Sequence, residues 1–518
     1  MTAISSGGGG VGEILLVALN ARYRHTSLGL RYLQANLGEL AARSRLIEFD
    51  LERTPEEMAE LLLADSPRIV AISVQIWNVA LVQPLVALLK LLAPGVVVVL
   101  GGPEVSHELE DQPLARLADF IVVGEGERAF ARLCGSLLTG VWPPERILPA
   151  APPELAGLLL PYDLYDARDL RERVIYVESS RGCPFGCAFC LSALERRVRL
   201  FPLEPFLAAM ARLFERGARR FKFVDRTFNL GLDRALTILD FFLERLSPGL
   251  FLHFEMVADR LPEALLERLA RFPEGVVQLE LGIQSLDPEV LARIGRPRDT
   301  GLTLENLRRL LSGTRVHLHT DLIIGLPGEG LEGIAAGFDR LWGIGVQEIQ
   351  VGILKRLKGT PLTAMTEEFA LLFDPSPPFA LLRHDRLDFA TLRRLKRFAR
   401  FWSLVGNSGR FRRSLPWLLG DSPFRRFLAL SDWIHARVGR THAIALPRLV
   451  ALIREGAGEV LGLEGGEFAR LLAHDAAMPG GGGGGEGGEG PPSRQRRHRR
   501  GPGMGGARLA EEGLAKPG

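Results

Sequence analysis

Three of the four cysteines of this 518-residue chain fall within eight positions: Cys183, Cys187 and Cys190. The spacing is C-x3-C-x2-C, inside Arg181-Gly182-Cys183-Pro184-Phe185-Gly186-Cys187-Ala188-Phe189-Cys190. Three thiolates on one short loop can hold three irons of a four-iron, four-sulfur cluster, which takes four ligands. With no fourth ligand, one iron stays open to a substrate. A structural zinc site would want a fourth Cys or His nearby. The remaining cysteine, Cys134, is far away, and no His lies between 108 and 252. Zinc and inert thiols are the alternatives. Cys134 falls on an apolar helix face and reads as a small buried hydrophobe.

Such a loop needs a scaffold. From 173 on, apolar strands near 174–179, 220–225, 251–257, 277–283, 316–324 and 347–352 alternate with helical periodicity. Six repeats in this stretch predict a partial parallel β/α barrel over 173–362, since the closed form has eight. The cysteines follow its first strand, on the face where such barrels carry active sites. Upstream, strands at 13–19, 44–49, 68–76, 95–100 and 119–123 alternate with helices. This predicts a doubly wound, Rossmann-like domain over 13–140 whose ligands sit at the strands' carboxyl ends. The fold class is therefore α/β. Residues 141–172 read as a proline-rich linker, 363–477 as a helical C-terminal domain, 1–12 as a flexible N-terminus and 478–518 as a disordered Gly/Arg-rich tail.

The cysteine motif after the first barrel strand resembles the radical S-adenosylmethionine (SAM) superfamily. The resemblance implies that Cys183, Cys187 and Cys190 ligate a [4Fe-4S] cluster whose open iron chelates SAM. One electron then cleaves the sulfonium to methionine and a 5′-deoxyadenosyl radical. Phe189 matches the aromatic position near the adenine. Asp225, ending the second strand where the family's Gly-Gly-Glu is absent, is the substitute expected at the SAM amino group, with a helix cap or salt bridge as its alternative. Glu280 and Gln284 lie on the strand that resembles the family's ribose-proximal one, and share a face if that strand is regular. Gln284-Ser285 capping the next helix is the alternative. Gly325, in Asp321-Leu322-Ile323-Ile324-Gly325-Leu326-Pro327-Gly328, matches the glycine motif where backbone meets adenine, although Asp321 replaces its first Gly; a plain turn glycine is the alternative.

For the upstream domain, a dinucleotide site would want G-x-G-x-x-G straight after the first strand. The chain has Asn20-Ala21-Arg22-Tyr23-Arg24-His25-Thr26-Ser27-Leu28-Gly29 there. The strand-end segments with Ser73, with Gly101, Gly102 and Pro103, and with Gly124 and Glu125 suit a buried nucleotide tail. Placed ahead of the barrel, they resemble the cobalamin-binding radical SAM subclass, over roughly 13–362. The D-x-H-x-x-G of cobalamin domains that ligate cobalt through a histidine is not met around His25, because Tyr23 stands two before it and Leu28 three after. No lower axial histidine is expected.

The resemblance implies an enzyme that uses a [4Fe-4S] cluster, SAM and cobalamin, with methylation of an unactivated carbon or phosphorus as its reaction. Radical ring closure or rearrangement without methyl transfer is a second reading. A methylthiotransferase would want a second cysteine triad, which is missing. A nonenzymatic cobalamin or redox sensor binding nucleic acid is the reading from a different class. Catalytic residues other than the cofactor ligands are not named by any motif, and neither is the substrate. Expected partners are a small molecule and an electron donor such as flavodoxin or ferredoxin. A net charge of +3 gives no strong pull toward nucleic acid. Twelve Lys/Arg against three Asp/Glu between 383 and 426 read as a solvated helical face, or as a surface for an anionic substrate. No stretch suits a membrane span or signal peptide, and so few cysteines fit a reducing, cytoplasmic setting.

Overall fold

A computed structural model describes residues 4–6, 12–110, 112–463 and 465–478. The tail beyond Met478, and most of the stretch read as a flexible N-terminus, lie outside the described residues. Within that stretch Ile4–Ser6 forms a short strand, β1. The five expected strands appear as β2 (Ile14–Asn20), β3 (Ser44–Asp50), β4 (Ile69–Ser73), β5 (Val97–Gly101) and β6 (Phe120–Gly124). They join β1 and β7 (Ile147–Ala150) in one sheet ordered β1-β3-β2-β4-β5-β6-β7, in which β1 alone is antiparallel. Helices cover both faces, over two separate apolar layers.

The reading of 141–172 as a linker is corrected by its structure. β7 extends the sheet at its edge, where Pro149 needs no ladder partner for the N–H it lacks. Tyr162 and Tyr165 are fully buried. The helix Ala167–Glu172 starts at a capping box formed by Asp166 and Asp169. Asp169 and Arg173 form a buried ionic knot with Arg31 and Glu48 of the first domain, at 2.6–3.0 Å. Prolines here fall in an edge strand and at the start of a short turn, not in slack chain.

Burial alone would raise the Glu48 carboxyl. Arg31 and then Arg173 outweigh it and hold it at about 2. A depressed carboxyl contributes stability in full above its unfolded value of 4.5, and loses it as pH falls toward 2. Glu48→Gln is expected to cost about 3–5 kcal/mol near neutral pH, because two buried guanidiniums lose a partner. Urea unfolding across pH 7 to about 3 checks this: the wild type loses stability steeply below 4.5, the variant less so.

The second sheet is wholly parallel: β8 (Ile175–Val177), β11 (Arg220–Phe223), β12 (Phe251–Met256), β13 (Val277–Gln284), β14 (His317–Ile324) and β15 (Glu348–Ile353), adjacent in chain order. Between its first two members a two-stranded ribbon, β9 (Ser180–Arg181) with β10 (Arg199–Leu200), brackets the cysteine loop. Phe221, Phe223, Leu252, Phe254, Leu279, Leu281, Leu318 and Leu322 alternate out of the strands into the main core. The other face carries polar rows in register. Tyr176, Lys222, His253, Gln278 and His317 make one row, and Glu255, Glu280, His319 and Glu348 the next. A barrel interior of this kind is normally filled by branched aliphatic residues.

Beyond 363 the strands do not stop at once. Leu372–Phe373 pairs with Leu381–Arg383. Helices at Phe389–Val405, Leu415–Leu419, Pro423–Val438, Leu446–Leu461 and Gly466–Ala477 follow. They have no core of their own, because their buried residues are continuous with the barrel's. Phe338 of the barrel helix Leu331–Ile344 packs edge-on against Phe398, Trp402 and Phe424, at 4.8–5.9 Å between ring centroids. The Trp402 Nε1–H donates to the Ile349 carbonyl at 2.8 Å, tying the first long helix to β15. Of the basic run, Arg394 and Arg397 are paired with Asp432, and Arg425 with Glu332. No helix among the described residues is long and apolar enough to cross a membrane.

Candidate functional site

The carboxyl edge of the first sheet faces the mouth of the barrel across a cavity of about 820 Å3. Ser73, Gly101, Gly102, Gly124 and Glu125 line one side; Tyr176, Lys222, Arg226, Glu280, His319 and Gln350 line the other. Ionic contacts join the two halves around it: Lys358 with Glu104, Arg356 with Glu108, and Arg181 with Glu125 and Glu127. Gly102 is required to be glycine. Its φ is +110°, and a Cβ would fall 2.5 Å from the Val74 carbonyl oxygen. Pro103 opens a short 3-10 turn behind the loop and is not on the cavity wall. Cys134 is buried in the first domain, and that burial pushes its thiol up to about 12.

His25 lines the same cavity. Its Nδ1 lies 2.6 Å from the Tyr176 hydroxyl, so one ring nitrogen is already engaged by the barrel's first strand. Arg173 Nε donates to the Tyr23 carbonyl at 2.8 Å, fixing the loop that carries it. The Tyr23 hydroxyl bonds Glu172, not His25.

The cysteine loop leaves the ribbon at Gly182, whose φ is +91° and whose Cβ would fall 2.3 Å from the Arg197 carbonyl oxygen. Cys183 N–H donates to Glu195, Ala188 N–H to Ile294, and Leu362 N–H to Ala188. Cys187 is buried, and Cys183 and Cys190 are half-buried. Burial raises the Cys183 thiol, and the neighbouring Cys190 and Cys187 raise it further. No group of three His, Cys, Asp or Glu among the described residues is gathered as around a metal ion. The residues still fit a cluster: three thiols share one short, clamped loop, and Arg296 Nη1 lies 3.4 Å from Cys187 Sγ, a cation beside a group that is anionic when it ligates iron.

Beside this loop several buried polar atoms lack partners. Arg296 and Arg298 both donate to the Gly282 carbonyl, at 2.8 and 3.3 Å. Their Nε atoms, Arg298 Nη2, Asp259 Oδ1 and Gln284 Oε1 are nevertheless buried and unbonded. Burial, then Arg296, lowers the Arg298 guanidinium to about 10. Unpaired buried groups cost free energy unless a ligand satisfies them. A zwitterion with hydroxyls, such as SAM, would do so.

The expected SAM residues fare differently. Gln284 is not on a regular strand: a bulge separates it from Gly282, its φ is +65°, and its amide folds back over Gly282. Glu280 lies in the barrel interior with its carboxylate on His253 (2.8 Å) and Lys222 (3.6 Å). Asp225 is fully buried off the large cavity, accepting from Ser179 N–H (2.9 Å), Ser179 Oγ (2.7 Å) and Ser180 Oγ (2.6 Å). Its carboxylate steadies the turn entering the ribbon, nearer to the cap-like alternative. Gly325 takes φ +93°, but the space over it is filled by Leu381, so protein makes the close approach. Phe189 packs on the edge of the main core.

Sequence reasoning missed Arg296, Arg298 and Asp259, which sit in connecting loops without a motif. It also missed the acid–base character of the interior, although alternating charge along His317-Leu318-His319-Thr320-Asp321 was visible. There, burial opposes a charged His319, but Asp321 and then Glu348 and Glu280 raise it to about 9.

The radical SAM superfamily model matches residues 177–341, and the B12 binding domain model matches 14–134. An uncharacterised methyltransferase of Pyrococcus horikoshii is 27% identical over 338 residues, covering 60% of this chain and 71% of that protein. A 2-(S-pantetheinyl)-carbapenam-3-carboxylate methyltransferase of Streptantibioticus cattleyicolor is 28% identical over 318 residues, covering 54% of this chain and 46% of its own length. The solved structure of the cobalamin-dependent S-adenosylmethionine radical enzyme OxsB with aqua-cobalamin bound shares the fold, with a TM-score of 0.60 at 14% identity, over 89% of this chain and 80% of that one. With its B12-binding sheet, its cysteine loop and its partial barrel in this order, the chain belongs to the cobalamin-binding radical SAM enzymes, whose cofactors are a [4Fe-4S] cluster, SAM and cobalamin.

Proposed function

We propose that the protein methylates an unactivated carbon or phosphorus of a polar small molecule. One observation carries this: a single cavity joins the B12-binding edge to the polar barrel mouth and reaches Arg181, two residues before Cys183. When bound, the cluster and SAM supply reductive cleavage of the sulfonium, and cobalamin supplies the methyl group. Cys183, Cys187 and Cys190 hold the cluster. Arg296, Arg298, Asp259 and Gln284 satisfy the polar groups of SAM, with Phe189 and Gly325 shaping the site from behind. Ser73, Gly101, Gly102 and Gly124 line the cobalamin tail. Glu280, with Lys222 and His319, faces the substrate and holds a proton-exchanging polar group in place. No histidine is expected on the cobalt, because the loop carrying His25 fails the D-x-H-x-x-G spacing at Tyr23 and Leu28. An electron donor such as flavodoxin or ferredoxin serves the cluster.

The test uses the full chain, reconstituted anaerobically with iron, sulfide and hydroxocobalamin and then reduced. SAM labelled on its methyl group should pass label to cobalamin and yield S-adenosylhomocysteine, with slow formation of 5′-deoxyadenosine. Formation of 5′-deoxyadenosine without labelled cobalamin would favour ring closure or rearrangement. The absence of both products would sink the enzymatic reading in favour of a sensor. Electron paramagnetic resonance of the Co(II) form should lack nitrogen splitting. A splitting that disappears in His25→Ala would instead make His25 a ligand.

A further inference from the structure

Glu125 lies on the cavity wall at the end of β6, and its carboxylate does not point into open space. Oε2 takes Arg181 Nη1 at 2.6 Å, and Oε1 takes Arg199. Arg181 and Arg199 are directly opposite each other in the β9–β10 ribbon. One carboxylate therefore grips both strands that open and close the cysteine loop, two residues before Cys183 and nine after Cys190. Two guanidiniums facing across a narrow ribbon repel each other, and like charges placed directly opposite destabilise a strand pair. Glu127 Oε1 at 2.8 Å and Glu178 Oε1 at 2.8 Å complete the neutralisation of Arg181. Its guanidinium also stacks 4.7 Å from the Tyr32 ring centroid and 5.5 Å from that of Phe201. Arg199 is anchored besides by donating to the Pro153 carbonyl at 3.0 Å.

The loop that presents Glu125 is the same Gly124-Glu125-Gly126 segment that lines the cobalamin side of the cavity. We propose that Glu125 is a positioning residue that couples the two cofactors: cobalamin, by ordering the Gly124–Gly126 loop, fixes the Glu125 grip on Arg181 and Arg199 and thereby holds the cluster-bearing loop closed. This rests on the cofactor assignment above. Linkage makes the effect reciprocal, so a loaded cluster should tighten cobalamin binding by the same factor.

The experiment follows iron loss to EDTA from the reconstituted full chain under anaerobic conditions, by the decay of the cluster's visible absorbance. It is run with and without saturating hydroxocobalamin. Iron and cobalamin contents are measured first. In the wild type, cobalamin is expected to slow iron loss about fivefold or more, within the range typical of coupled sites. In Glu125→Gln the ratio should fall to about one, with partial recovery in Glu125→Asp. Arg199→Gln, which removes one arm of the grip, should behave like Glu125→Gln and decides the matter if that variant does not fold. Equal protection in wild type, Glu125→Gln and Arg199→Gln would overturn the proposal. So would a wild type that binds both cofactors and shows no protection. A wild type that binds no cobalamin or no iron overturns the cofactor assignment itself, and the coupling with it.

Discussion

Replacing Cys183, Cys187 and Cys190 together by Ala is expected to take the reconstituted protein from about four irons per chain, the content of one such cluster, to background. The brown colour and all 5′-deoxyadenosine formation should go with them. The fold should survive, because only Cys187 of the three is buried and the loop's backbone is anchored through Ala188 and Cys183 N–H groups that the substitution leaves in place. Circular dichroism and cobalamin binding report that survival. Stoichiometric zinc in the wild type, with no iron, would overturn the assignment.

Filling the cobalamin side of the cavity should have a large effect on the other cofactor. Gly101 ends β5 on the cavity wall, and a Cβ there would meet only the Val122 carbonyl oxygen, at 3.6 Å. A side chain therefore fits without breaking the sheet and projects into the cavity. Gly101→Leu is expected to weaken cobalamin binding by up to about 100-fold, since overpacking of a formed site costs about 1–3 kcal/mol. Its iron content should stay at the wild-type level. Hydroxocobalamin titration followed by absorbance measures it. Unchanged affinity would show that the cofactor does not lie over this strand end. The same change at Gly102 would be less informative, because that backbone position rejects any side chain.

The parts legible in the sequence were those with a period or a spacing. All eleven strands expected from alternation of apolar runs formed, and C-x3-C-x2-C marked its loop. What was not legible depends on pairing across long chain distances. β7 looked like linker because Pro149 hides a strand that needs only one neighbour. The knot of Arg31, Glu48, Asp169 and Arg173 joins residues up to 142 positions apart, and no local pattern announces it. Asp225 was assigned to a ligand by its position at a strand end, but three donors of the preceding turn claim it first. Gln284 was placed by strand parity, and a bulge next to Gly282 breaks that parity. Arg296 and Arg298 carry no motif; only their unbonded buried atoms give them away.

The aromatic seam of Phe338, Phe398, Trp402 and Phe424, with the Trp402 bond to Ile349, bears on how such enzymes can be recombined. A six-stranded barrel has an unclosed flank beyond β15, and here the helix Phe389–Val405 stands where further strands would be. A chimera cut at the end of β15 would leave that flank bare and strand several large aromatic rings in water. The heritable module for exchange between relatives is therefore the barrel together with its C-terminal helices. A change of substrate scope achieved by swapping barrels should travel with that helical flank and not with the strands alone.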